Sequence, residues 1–132
     1  MISDSIFHKL ELVAKAKGRK KLDVLKPELM PYLYVAYDPD IKFRLTKSSP
    51  GQGTEIFSLT TWDILRQLNA REIRGRKAQR IVNNHTKEMT RASATLFNRI
   101  INKNLRIGMG AKSINKKYPH FISIKEVQHA KG

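Results

Sequence analysis

The run Asn104-Leu105-Arg106-Ile107-Gly108-Met109-Gly110-Ala111-Lys112-Ser113-Ile114-Asn115-Lys116-Lys117-Tyr118-Pro119 sets two glycines and four cations around the start of a short helix. Gly108 and Gly110 permit positive φ and close approach of a ligand to the backbone, and a helix opening beside them presents unpaired N–H groups and the positive end of its dipole. Lys112, Lys116 and Lys117 add mobile charge, and Ser113 adds a hydroxyl. The chemistry of such a run is capture of phosphate or another anion. A looser version, Arg74-Gly75-Arg76-Lys77, precedes a second helical pattern. Lys47-Ser48 opens the turn-rich segment Lys47-Ser48-Ser49-Pro50-Gly51-Gln52-Gly53, which is either a surface connection or another phosphate-contacting loop.

Other chemistries lack their residues. His8, His85, His120 and His129 stand far apart, and none has a second ligand at metal spacing. Asp38 and Asp40 form the one close carboxylate pair; flanking Pro39, they suit a turn better than a cation site. The glycines complete neither G-x-G-x-x-G nor G-x-x-x-x-G-K-[ST], so a nucleotide loop is not expected. No Ser/His/Asp arrangement can be assembled from spacing. The expectation is no catalytic residue, no metal and no cofactor in this chain.

Charge points the same way. The 132 residues carry a net charge of +15, with a pI near 10.3. Residues 1 to 50 hold ten Lys/Arg against six Asp/Glu, and residues 51 to 132 hold sixteen against five. Between Glu88 and Glu126 there is no acidic residue, while eight basic ones occur. Such an excess in one compact domain serves a polyanion: nucleic acid first, with an anionic membrane surface or an acidic protein as the other classes. Cysteine is absent, which excludes disulfides and thiolate sites and fits a reducing, cytoplasmic setting. No apolar run approaches the roughly 18 residues of a membrane span.

The elements that position these residues read as helices. Ser3 or Ser5 can cap a first one through Phe7, Leu10, Val13 and Ala14, which Gly18 stops. Arg19-Lys20-Lys21 opens a short helix that Pro27 ends; cations at a helix start oppose its dipole, so the cluster is expected to face an external anion. Pro31 suits the first turn of the next helix, which Asp38-Pro39 breaks. Ile41, Phe43 and Leu45 alternate with Lys42 and Arg44 as strand or irregular chain. Ser58, Thr60 or Thr61 caps a helix anchored in the core by Trp62. Ala78, Ile81, Val82, His85 and Met89 mark another, and Thr90 caps one carrying Ala92, Leu96, Phe97, Ile100 and Ile101 on one face. After a short helix over 111–117, Phe121, Ile122 and Ile124 are expected to pack back, with the tail frayed. The sum is an all-α, compact bundle of about six or seven helices with little or no sheet, forming a single domain over 1–132 with 122–132 as tail or linker.

With these residues in view, the chain resembles the N-terminal DNA-binding domain of ATP-dependent DNA ligases, above all the short phage enzymes. The block 105–119 carries the likeness most specifically. Leu96-Phe97-Asn98-Arg99-Ile100-Ile101-Asn102-Lys103-Asn104 precedes it in matching type and order, and Tyr34-Val35-Ala36-Tyr37-Asp38-Pro39-Asp40-Ile41-Lys42-Phe43 resembles an earlier helix-and-turn element of the family. The resemblance spans roughly residues 6 to 122. It implies an all-helical domain that contacts the minor-groove side of nicked duplex DNA, with Arg106, Gly108, Gly110 and Lys112 holding phosphate. Asn104 stands where the family often has an acidic residue. The ligase nucleophile is the Lys of K-x-D-G; Lys21-Leu22-Asp23-Val24 lacks the Gly, so the resemblance places the nick-sealing chemistry, with its ATP and Mg, in a separate catalytic domain or subunit.

The sequence therefore supports binding of duplex, especially nicked, DNA through phosphates by Arg106, Gly108, Gly110, Lys112, Ser113, Lys116 and Lys117, by Arg74, Gly75, Arg76 and Lys77, and by Lys47 and Ser48. Its expected partners are double-stranded or nicked DNA and a separate ligase catalytic subunit. The competing class is a stand-alone regulatory or architectural DNA-binding protein. Asn98, Asn102, Asn104 and Asn115 could read minor-groove edges or serve as caps and surface residues.

Overall fold

The structure, a computed structural model, describes residues 4–124. It contains α1 (Ser5–Lys15), α2 (Arg19–Asp23), a 3₁₀ turn at Pro27–Leu29, α3 (Met30–Tyr37), α4 (Leu59–Asn69), α5 (Gly75–Lys87), α6 (Arg91–Ile101) and α7 (Ala111–Lys117). Among the described residues there is no strand, only a single bridge between Glu55 and Met89. This is the all-α bundle that the periodicity predicts.

The central helix is α6, which packs on α1, α3 and α5. Its sequence explains that position. Leu96, Phe97, Ile100 and Ile101 are buried as expected, and so are Ser93 and Ala94 on the adjoining side, so the apolar surface is too wide for one neighbour. The Thr90 hydroxyl accepts the Ser93 N–H at 3.1 Å as the N-cap. Thr90 and Ser93 then donate their own hydroxyls to Asp4 Oδ1 at 2.9 and 2.8 Å. Asp4 is the N-cap residue of α1, with Ser5 already helical, but its carboxylate braces α6 and makes no cap bond to α1.

Two helices end in a Schellman motif whose left-handed residue is a cation where glycine is usual. At the end of α4, the Arg71 N–H donates to Leu68 O at 3.2 Å and the Glu72 N–H to Gln67 O at 2.9 Å. At the end of α6, the Lys103 N–H donates to Ile100 O at 2.9 Å and the Asn104 N–H to Arg99 O at 3.0 Å. Arg71 has φ +62° and Lys103 +61°, a conformation that costs a side-chain-bearing residue about 1 kcal/mol or more.

The segment between α3 and α4 has no regular structure. Phe43 is buried and Ile41 and Leu45 half-buried, while Lys42 and Arg44 are exposed, so the alternation seen in the sequence is real although no strand partner exists among the described residues. The turn-rich segment that follows is pressed against the end of α5: Gln52 N–H donates to Lys87 O, Gly53 N–H to Met89 O, Glu55 N–H to Glu88 O and Thr90 N–H to Glu55 O, at 2.8 to 3.0 Å. Backbone meets backbone here. A Cβ on Gly51 would lie 2.3 Å from Thr90 O, and one on Gly53 2.2 Å from Glu88 O.

Elsewhere the packing departs from expectation in detail. Trp62 sits half-buried at the rim of the core, with ring centroids 5.0 Å from those of Tyr32 and Phe57. His85 Nε2 lies 2.8 Å from the buried Thr61 hydroxyl. Ile122 is buried and held by a reciprocal pair of 2.9 Å bonds with the Asn115 side chain, whereas Ile124 is exposed and does not pack back. The expected frayed tail, Gln128 to Gly132, lies outside the described residues.

Gly51→Ala and Gly53→Ala should each destabilise the protein by about 1–3 kcal/mol, because the neighbouring backbone must move. Gly110→Ala, whose Cβ would meet nothing within 4 Å, should shift stability by less than about 0.5 kcal/mol. Urea unfolding of the three variants checks the contrast.

Candidate nucleic-acid interface

Residues 44–49 form a strap between two basic regions. Arg44 and Leu45 border a small cavity together with Arg71, Arg74 and Gly75 at the start of α5. Thr46 borders an open polar groove of about 380 Å³ with Asn98, Arg99, Asn102, Asn104 and Arg106. Ser48 and Ser49 line the next hollow with Asn98. The strap is tied down along its length: Asn102 Nδ2 donates to Thr46 O at 2.8 Å, Asn98 Nδ2 to Ser48 Oγ at 3.3 Å, and Gln79 Nε2 to Lys47 O at 2.9 Å. Lys47, Ser48, Arg74, Gly75 and Arg106 therefore belong to one connected stretch of surface.

Arg106 supplies the free charge of the groove. It has φ +58°, and its N–H donates to Asn104 Oδ1 at 2.8 Å in a side-chain-closed turn. Among the described residues its exposed guanidinium has no hydrogen bond or ion pair. Arg99, also in the groove, is engaged: Nη1 donates to Glu11 Oε2 at 2.7 Å, and the guanidinium lies 5.2 Å from the Phe7 ring centroid. Asn102 is engaged too, because its amide donates to the carbonyls of both Thr46 and Asn98 at 2.8 Å. Those two acceptors fix which end of the amide is nitrogen. Asn102 and Asn98 thus build the groove, and reading a base with the Asn102 amide would release the strap.

At the start of α5, Arg74 occupies the N-cap position with no side-chain cap, and no acidic residue lies in the first turn. Gly75 has φ +64° and nothing near its absent side chain. Arg74, Arg76 and Lys77 are exposed and unpaired among the described residues. Arg80, which the sequence reading did not single out, is exposed and unpaired in the same way. Two signals could have found it: its 3- and 4-residue spacing from Lys77 and Arg76, and the lack of any acid from Ile73 to Lys87.

The 104–119 run divides. Gly108 has φ +76°, as its role requires, but the group beside it is internal: a Cβ there would lie 3.1 Å from Lys21 Nζ. Lys21 donates to Val13 O at 2.7 Å, Ala14 O at 3.2 Å and Ile107 O at 3.0 Å, so it closes the carbonyl end of α1 and fastens the 105–110 loop to it. This corrects the expectation that the whole Arg19-Lys20-Lys21 cluster faces outward; only Arg19 and Lys20 are exposed. It also makes Lys21 a structural residue of the helix that holds Lys21-Leu22-Asp23-Val24. Lys117 is corrected likewise: its ammonium donates to Leu22 O at 2.6 Å, so it is no mobile charge. Lys112 and Lys116 are exposed and unpaired among the described residues, Ser113 is half-buried, and Gly110 is extended and open. No hydrogen bond or shared hollow among the described residues joins Lys112, Ser113 or Lys116 to the groove.

Lys103 serves the scaffold beneath the groove. Its ammonium donates to Val35 O at 2.7 Å and Asp38 O at 2.9 Å, and lies 5.4 Å from the Phe43 ring centroid. Burial pulls its pKa from 10.5 down to about 8, with Asp38 acting in the opposite sense.

Among the described residues no helix is long and apolar enough to cross a membrane, and no three His, Asp or Glu side chains gather as a metal site would need. Fold and surface together define a compact helical bundle with a cationic groove and strap. No protein-family model matches the chain, and no curated protein matches it significantly. Among solved structures, its fold is similar to that of a chain named Pmar-Lig_PreS3, with a TM-score of 0.73, 20% identity, and coverage of 94% of this chain and 32% of that one. A second, named Pmar-Lig_Pre., gives a TM-score of 0.70 at 20% identity, over 92% of this chain and 31% of that one. The chain thus spans about a third of the length of these structures, and the likeness is one of fold.

Lys21→Met should leave the carbonyls of Val13 and Ile107 without their donor, destabilising the protein by about 1–3 kcal/mol. Amide exchange at residues 106–110 should accelerate; unchanged exchange there would show that Lys21 does not fasten the loop. For Lys103 the folded pKa lies below the unfolded one, so the unfolded chain binds more protons between them. Stability relative to Lys103→Met should therefore improve as pH rises from about 8 toward 10.5. Denaturant titrations across that window measure the sign.

Proposed function

We propose that this chain binds duplex DNA, preferentially nicked, through its backbone phosphates on the minor-groove side, as the DNA-binding domain or subunit of an ATP-dependent DNA ligase whose catalytic part lies elsewhere. The observation that carries this is the unpaired Arg106 guanidinium over an open polar groove that a strap connects to the unpaired cations of the α5 start. Phosphates one after another along a strand are the ligand such a series of unpaired cations suits, because each unpaired Arg or Lys can replace a counterion. The engaged amides of Asn98 and Asn102 favour a grip indifferent to base sequence. Support for the ligase context comes from the sequence resemblance over 105–119 and from the ligase-related names of the two solved chains that share the fold.

In this reading Gly108, Gly110 and Lys112 of the 105–112 loop take phosphate in addition to the groove residues, and Lys47 and Ser48 touch the duplex from the strap. Adenylate chemistry, with ATP and Mg²⁺, belongs to the catalytic part, and this chain alone joins nothing.

Fluorescence anisotropy with intact and nicked duplexes of several sequences should show affinity falling steeply with salt, nicked duplex bound best, and little dependence on sequence. Arg106→Ala should weaken binding equally on all sequences and reduce the salt slope by about 1. Affinity that does not change with salt would sink the phosphate reading, and a loss confined to one sequence would indicate base readout. Adding the chain to a ligase catalytic domain should raise nick sealing at limiting DNA; no increase with any such partner would favour a stand-alone DNA-binding protein.

A further inference from the structure

Arg71 and Lys103 occupy equivalent places at the ends of α4 and α6, each in the left-handed conformation that glycine adopts most easily. For Lys103 the strain is offset by two short bonds from its ammonium to main-chain carbonyls. Arg71 has nothing comparable: it is exposed and makes no side-chain hydrogen bond or ion pair among the described residues. Its neighbour Glu72 gives no compensation, since both its carboxylate oxygens accept from Arg66, at 2.9 and 3.2 Å. The fold gains nothing visible from an arginine at this position.

Two further arginines border the same small cavity, Arg44 and Arg74. Arg44 is also left-handed, at φ +62°, and its Nη1 makes only long contacts of 3.3 to 3.5 Å to the carbonyls of Lys42, Leu68 and Asn69. Arg74 is exposed and unpaired among the described residues. Among the described residues no carboxylate borders this cavity, whose other lining residues are apolar apart from Gly75. At about 20 Å³ it has room for a water at most, so a ligand would sit across its mouth, among the guanidinium groups.

We infer that Arg44, Arg71 and Arg74 form a three-arginine clamp for one phosphate of the DNA backbone, next along the strap from the groove of Arg106. The planar fork of arginine suits two oxygens of one phosphate, which explains arginine in place of glycine or lysine at strained positions. The inference rests on the duplex-binding function proposed above and adds Arg44 and Arg71, two residues that the sequence does not mark. The strap then serves two phosphate holds, with Arg44 and Leu45 bordering the clamp and Thr46 bordering the groove of Arg106.

The telling variant is Arg71→Gly, because relief of strain and loss of the ligand contact pull in opposite directions. Its Tm should rise, while affinity for nicked duplex falls roughly tenfold at about 0.1 M salt and the salt slope drops by up to about 0.9, the share of one phosphate. Arg71→Lys should keep the slope and still lose affinity, since the charge remains and the fork is gone. A Tm that falls together with affinity would mark Arg71 as merely structural and overturn the clamp. Unchanged affinity and slope in Arg71→Gly, with Arg106→Ala still weakened, would overturn the clamp and leave duplex binding intact. Absence of salt-dependent duplex binding by the unmodified protein would instead remove the proposed function itself.

Discussion

Three lysine ammonium groups lie against main-chain carbonyls at helix C-termini: Lys21 at the end of α1, Lys117 at the end of α2 and Lys103 at the end of α3. The last carbonyls of a helix have no partner within it, and they are the negative end of its dipole. In a bundle of short helices such ends are frequent, and several here are covered by other parts of the chain. A cation on a long flexible stem satisfies two or three carbonyls at once. Each of these lysines also makes a bond to a distant part of the chain: Lys21 links α1 to the 105–110 loop, Lys103 links the end of α6 to the end of α3, and Lys117 links α7 to α2.

This partition of charge decides which cations are left for a ligand. Lys21, Lys103 and Lys117 serve the fold, and Arg66 and Arg99 are paired with carboxylates. Arg71, Arg74, Arg76, Lys77, Arg80, Arg106, Lys112 and Lys116 are exposed and unpaired among the described residues. The left-handed arginines fall among the poorly partnered group, where backbone strain has no structural return. That combination of strain and idle charge is the pattern expected where a protein gives up some stability for binding.

The irregular segment between α3 and α4 has a comparable double role. Its Gly51 and Gly53 end closes over the C-terminus of α5 by backbone bonds that leave no room for a side chain. Its 44–49 end is laid across α5 and α6 by side-chain amides. Having no regular structure, the strap takes its position from these ties and from Leu45, which packs half-buried against the core. The groove it borders is built on α6, and Asn98 and Asn102 are better understood as its fasteners than as readers of bases.

Much of this was legible in the sequence. Apolar spacing gave the bundle, Thr90 its cap, Pro31 and Asp38-Pro39 the bounds of α3, and the excess of Lys and Arg over Asp and Glu the expectation of a polyanion. Local preferences suffice there, because helix periodicity and capping involve residues only three or four apart. Only the tertiary structure could decide which cations turn inward, since Lys21 meets Ile107 and Lys103 meets Val35 across some 60 to 90 residues. Nor could spacing reveal that Arg44, Arg71 and Arg74 border one cavity, or that Arg71 sits where glycine belongs. Charge is a property of composition; whether it is available depends on which carbonyls and carboxylates folding brings beside it.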